Sequence, residues 1–137
     1  MNESKTRNYL AATDKIQGIN KNVRTAWLEI NIKQCTDSTQ LAKLQNELTE
    51  YSSGLYEFRT RNRAFESIET LGLCTDQIVR NLIDGILSAN SRLSNPAQRT
   101  LKLLMKKIGN KEIAQTVYQT STWEPWQMER LKKIFEQ

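Results

Sequence analysis

Residues 57–109 read EFRTRNRAFESIETLGLCTDQIVRNLIDGILSANSRLSNPAQRTLKLLMKKIG, and the rest of the chain is arranged around them. Phe58, Phe65, Ile68 and Leu71 fall mostly on one side of a helical spiral, and Gly72 stops it. Leu73 is placed for the apolar contact that often follows a glycine cap. Thr75 reads as the cap of the next helix, and Asp76 suits its positive end. Ile78, Val79, Leu82, Ile83, Ile86 and Leu87 then form a stripe wide enough to be buried on two sides. Asn95 reads as a second cap, with Pro96 in the first helical position and Gly109 as the stop. In that third helix Ala97, Leu101, Leu104 and Ile108 make an apolar line, and Arg99, Lys102 and Lys106 a separate basic one.

The flanks repeat the pattern. A first helix is expected over about residues 4–17, on Tyr9, Ala12 and Ile16, and a second over about 21–35, with Trp27 as a packing anchor. Asp37 and Gln40 can form a capping box ahead of Leu41, Leu44, Leu48 and Tyr51, and residues 52–54 end that helix. A fourth helix starts near Leu55. Beyond the central stretch, Asn110 reads as the cap of a helix with Ile113, Val117 and Tyr118. Thr122 reads as the cap of the last one, which has Pro125 in its first turn and Met128, Leu131, Ile134 and Phe135 on its apolar face. No strand pattern competes.

The expectation is therefore an all-α fold of about eight helices in one domain over residues 1–137. Helix–loop–helix units recur about every 35 residues, near 1–35, 36–73, 74–109 and 110–137, and short connections make neighbours antiparallel. Antiparallel pairs stacked as a short α-solenoid fit this beat. A compact bundle of the same helices is the alternative.

Composition agrees. Hydrophobic residues make up 38% and charged residues 26%, as in a soluble globular protein or a helical array. A chain of 137 residues can bury close to ~70% of its unfolded surface, so its core needs neither disulfide nor metal. Five Gly and two Pro are too few for the many turns of an all-β fold. No apolar run approaches the length of a membrane span, and the first residues carry no apolar core of a signal peptide. Cys35 and Cys74 match no metal or redox spacing and read as buried thiols. The net charge is +5, and residues 88–111 hold six basic residues and no acid. That run invites an acidic partner, although an exposed helix face is often as charged.

The absence of histidine decides most of the chemistry. It excludes, within this chain, a His-x-x-x-His zinc site, a Ser-His-Asp triad and a Cys-His dyad. No phosphate-binding glycine loop is present either. Glu66 and Glu69, beside Arg63, read as exposed ion-pair partners rather than a catalytic carboxylate pair. In the run from Phe58 to Phe65, Arg59 and Arg63 stand one turn apart and can grip one carboxylate or phosphate. Arg61 points away from them and can pair with Glu57. A solvated face with ion pairs accounts for the same residues. Trp123 and Trp126 flank Pro125, either as a stacking pair for a ligand or as a lock for the last helix, and the lock is the simpler role.

Three segments carry a family resemblance: AFESIETLGL (residues 64–73), NSRLSNPA (90–97) and WEPWQMERL (123–131). With them, residues 63–135 resemble the C-terminal end of bacterial zinc aminopeptidases of the aminopeptidase N type. In that family a thermolysin-like domain carries the zinc motif, and a C-terminal superhelix of HEAT-like pairs covers the catalytic cavity and limits which peptides enter. No residue here matches the zinc ligands, the general-base glutamate or the motif that binds the peptide N-terminus. The resemblance thus implies a non-catalytic module of a larger protein, with no cofactor of its own and zinc in the parent's catalytic domain. The partners it implies are that catalytic domain and a peptide substrate, with no membrane. Charge placement nominates Arg59, Arg63, Arg92 and Arg99 as contacts for peptide carboxylates. The alternative is a free-standing basic helical module for nucleic acid or an acidic protein. Nucleic acid is the weaker choice, because the aromatics sit on apolar stripes rather than among the basic residues.

Overall fold

The computed structural model describes residues 38–136, with side chains from residue 42 onward. Within that span it holds six α-helices and no strand: α1 (Ser38–Tyr51), α2 (Phe58–Leu71), α3 (Asp76–Ile86), α4 (Ser91–Leu104), α5 (Ile108–Thr120) and α6 (Pro125–Phe135). Eight helices were expected. The first two, with Trp27 and Cys35, lie outside the described residues, as does Asp37 of the capping box.

Local chemistry explains the ends of α2 and α3. Gly72 takes the left-handed conformation at φ +69°. Its amide donates to the Glu69 carbonyl, and the next amide, Leu73, reaches back to Ile68 at 3.1 Å. These two bonds are the Schellman closure, and Leu73 packs on the core as that motif favours. Thr75 caps α3, its hydroxyl accepting from the Ile78 amide at 3.2 Å.

Helix α4 departs from the expected frame. Asn90, not Asn95, is its cap, and accepts from the Arg92 amide at 3.0 Å. Pro96 therefore lies inside the helix. A proline there has no amide for the carbonyl four residues back and its ring crowds that carbonyl, a cost of ~3 kcal/mol when nothing compensates. The carbonyl in question belongs to Arg92, and it accepts instead from Asn62 Nδ2 on α2 at 2.9 Å. The far end differs too. The helix stops at Leu104, and Gly109, expected as the stop, lies in the first turn of α5. Asn110, expected as the cap of α5, donates from Nδ2 to the Leu104 carbonyl and so closes α4. The cap of α6 also moves from Thr122 to Glu124, whose amide donates to Gln127 Oε1, with Pro125 first in the helix.

Side-chain bonds fix how the helices lie. Asn62 reaches the Arg92 carbonyl and Glu69 faces Arg99, so equal steps along α2 and α4 stay in contact. The two run parallel. Cys74 Sγ lies 3.8 Å from the Asn110 carbonyl and Arg80 bonds Ser121, which sets the segment of α3 parallel to α5 in the same way. Thus α2 packs along α4, and the α3 segment along α5, each with the helix two places on.

The core lies where α2, α3 and α4 meet. Phe65, Ile68, Ile78, Leu82, Ile83 and Leu101 are at most 1% exposed. Burying each such side chain contributes roughly 1.5–3 kcal/mol. Gly85, inside α3, lets the helices close up. A Cβ there would lie 3.1 Å from Ala97 Cβ and 3.5 Å from Phe65 Cζ. At the far end the Tyr118 and Phe135 rings stack with centroids 4.5 Å apart. Trp123, partly buried, donates its indole N–H to the Tyr118 carbonyl and locks α6 onto α5. Trp126 takes no part in that lock. It is half exposed, bonds Glu124 and stacks under Arg130.

Candidate functional site

The run from Phe58 to Phe65 spreads its arginines around α2, and burial sorts them. Arg59 is exposed and lies over the Phe58 ring, 5.2 Å from its centroid. Arg61 and Arg63 are both buried. A twin grip by Arg59 and Arg63 on one outside anion is therefore not built, because Arg63 faces the interior. Glu66, expected as an exposed ion-pair partner, is buried as well.

Arg61 does not pair with Glu57. Its Nε donates to the Ser52 carbonyl at 2.9 Å, and its Nη2 donates to the Asn81 carbonyl at 3.1 Å and to Asp84 Oδ2 at 3.0 Å. The Asp84 side chain is 65% exposed, so the ion pair has one foot in water. Asn81 continues the network. Its Nδ2 donates to the Thr49 carbonyl and to Ser52 Oγ, each at 2.9 Å, and its Oδ1 accepts from Gln77. α1, α2 and α3 meet on this polar knot. Its Arg61 and Asn81 are buried and each makes several bonds, which suits a structural joint.

Of the remaining nominated residues, Arg92 and Arg99 are exposed on α4. They stand two turns apart, roughly 10 Å along the axis. Arg99 approaches Glu69 at 3.9 Å and lines a shallow groove of about 570 Å³ with Asn95, Gln98, Lys102, Leu103 and Lys106. Those on α4 follow the three-four spacing of a single helix face, and Lys106 continues it just past the helix end. That face lies opposite the buried stripe of Leu93, Ala97, Leu101 and Leu104. No ion pair is recorded for Lys102 or Lys106 among the described residues. The groove was visible in the sequence as a basic line. The Arg61–Asn81 knot was not, and its one signal was a polar Asn81 set between the apolar Val79 and Leu82.

Two titratable groups are displaced. Burial, with a smaller push from Asp76, raises the Cys74 thiol, which keeps it protonated and unreactive. Tyr118 is pushed up to about 12, first by its hydrogen bond to Glu136 at 2.5 Å, then by burial and by the carboxylate's charge. Among the described residues no three His, Cys, Asp or Glu side chains gather as metal ligands. No helix among them is long and apolar enough to cross a membrane.

No protein-family model matches this chain, and neither does a curated protein or a solved structure.

Proposed function

We propose that the chain is a non-catalytic helical-repeat domain that works by presenting a shaped surface. More specifically, we read it as the C-terminal domain of an aminopeptidase N-type zinc peptidase, lying over the catalytic cavity and limiting which peptides enter. One observation carries the first statement. Helices two apart in the chain pack in parallel, α2 on α4 and the α3 segment on α5. Repeated along the chain, that arrangement piles helix pairs into a HEAT-like α-solenoid, and each pair keeps one outer face free for a partner. The second statement is supported by the three resembling segments within residues 63–135 and by the lack of any histidine.

In this reading Arg59, Arg92 and Arg99 face the peptide, and buried Arg63 acts through the packing of α2. The reading frame that encodes the chain should carry a His-Glu-x-x-His motif upstream. In the full-length enzyme, replacing Arg59, Arg92 or Arg99 by Ala should raise KM for peptides severalfold and leave kcat nearly unchanged, since these contacts bind ground state and transition state alike. Unchanged kinetics in all three variants would remove the gating role.

A second reading, a free-standing basic module, is favoured by a single feature: among the described residues, exposed Lys102 and Lys106 pair with no carboxylate.

A further inference from the structure

We infer that the outer face of α4 is a docking groove for an acidic amphipathic helix of another protein. This rests on the second reading above, not on the peptidase one, and names its partner. Arg99 and Lys102 stand on one face of α4, and Lys106, just past its end, continues the steps of three and four along the same groove. Leu103, 38% exposed, sits between them, and the groove walls are mostly carbon. The long stems of lysine and arginine supply such carbon while their charged heads stay in water.

The whole run from residue 88 to 111 has no acid. Across from it, Glu69 lies 3.9 Å from Arg99 and satisfies that one cation in part. A row of cations around an aliphatic strip is complemented by a row of carboxylates around another aliphatic strip. A helix with Glu at i, i+3 and i+7 and Leu at i+4 repeats the spacing of Arg99, Lys102, Lys106 and Leu103. It lays its apolar strip in the groove, in the helix-in-groove mode of peptide recognition.

Nucleic acid fits less well. Single strands are held on exposed aromatic platforms between basic residues, and no aromatic side chain lines this groove. Phosphate contacts alone would also leave Leu103 uncovered.

The test uses the full chain and three fluorescent probes: the helical Glu/Leu peptide just described, a scramble of the same composition, and a single-stranded DNA oligonucleotide. Anisotropy is read across a salt series. The Glu/Leu peptide should bind at least about tenfold more tightly than its scramble, because the pattern and not the charge alone is recognised. Lys102→Glu with Lys106→Glu should weaken it about tenfold or more by placing like charges across the groove. Leu103→Ser should weaken it severalfold, and the loss should persist at high salt, where screening removes the charge contribution. All three positions are on the surface, so circular dichroism should report an unchanged fold. Equal binding of peptide and scramble would overturn the inference. Tighter binding of DNA than of peptide would overturn it and leave the broader basic-module reading standing. Binding of none of the probes would end both.

Discussion

Helix α3 is held on one side by polar atoms and on the other by carbon. Where α1, α2 and α3 meet, Asn81 and Arg61 share six hydrogen bonds among side chains and carbonyls, with Thr49, Ser52, Gln77 and Asp84 as the other ends. Towards α4, the nearest atoms to a Cβ at Gly85 would be carbons of Ala97 and Leu93, with Phe65 of α2 beside them. The polar seam is directional, so it admits one register of α1 against α3. The carbon seam has no such preference, and only the absence of a Cβ sets how near α4 can come. Specificity and closeness are thus handled by different faces of the same helix.

The largest effect should come from breaking the polar seam at its buried end. Arg61→Ala strands the Ser52 carbonyl, at about 1–3 kcal/mol, while the Asn81 carbonyl keeps its helical donor. A loss of about 2–3 kcal/mol in urea denaturation is expected, whereas Asp84→Asn should cost less than about 1 kcal/mol, because Asp84 is mostly in water. Equal losses would mean that the ion pair, not the carbonyls, holds the seam.

Next comes the carbon seam. Gly85→Val must force α4 outward and should cost about 1–3 kcal/mol, seen as a lower Tm. Gly85→Ala is the finer probe. Its gain in helix propensity, about 1 kcal/mol, opposes the 3.1 Å approach to Ala97. A raised Tm would show that α4 yields more easily than the tight spacing suggests.

The smallest effect tests the bond that ties α2 to α4. Asn62→Ala should cost about 0.5–1.5 kcal/mol. In a Pro96→Ala background residue 96 regains an amide that can serve the Arg92 carbonyl, so the same change should cost less. A double-mutant cycle measures the difference. Strict additivity would mean that the proline and the asparagine are unrelated.

The helices themselves were legible because each carries an apolar stripe at helical spacing, and this held for all six that the structure describes. The glycine cap at Gly72 and the threonine cap at Thr75 were equally plain, since a cap is a local device. The frame of α4 was misread for a physical reason. Pro96 at a first helical position is the locally cheapest placement, and its tolerance inside α4 depends on Asn62, thirty-four residues earlier in the chain. The nominated site fared similarly. Helical geometry puts Arg59 and Arg63 one turn apart, but which side of α2 becomes interior depends on where α3 lies. Local spacing likewise offers Glu57 to Arg61, while its actual partners Ser52, Asn81 and Asp84 are brought in by the packing of three helices. The basic line on α4 was legible because exposure opposite a strong apolar stripe needs no tertiary knowledge.

Proline at 96 also makes the leading end of α4 lean on another helix. A carbonyl that its own helix cannot serve is left to water until a side chain from elsewhere takes it, and that side chain is Asn62. As an isolated peptide, residues 91–104 should therefore fray at the leading end, and hydrogen exchange there should follow the opening of α2.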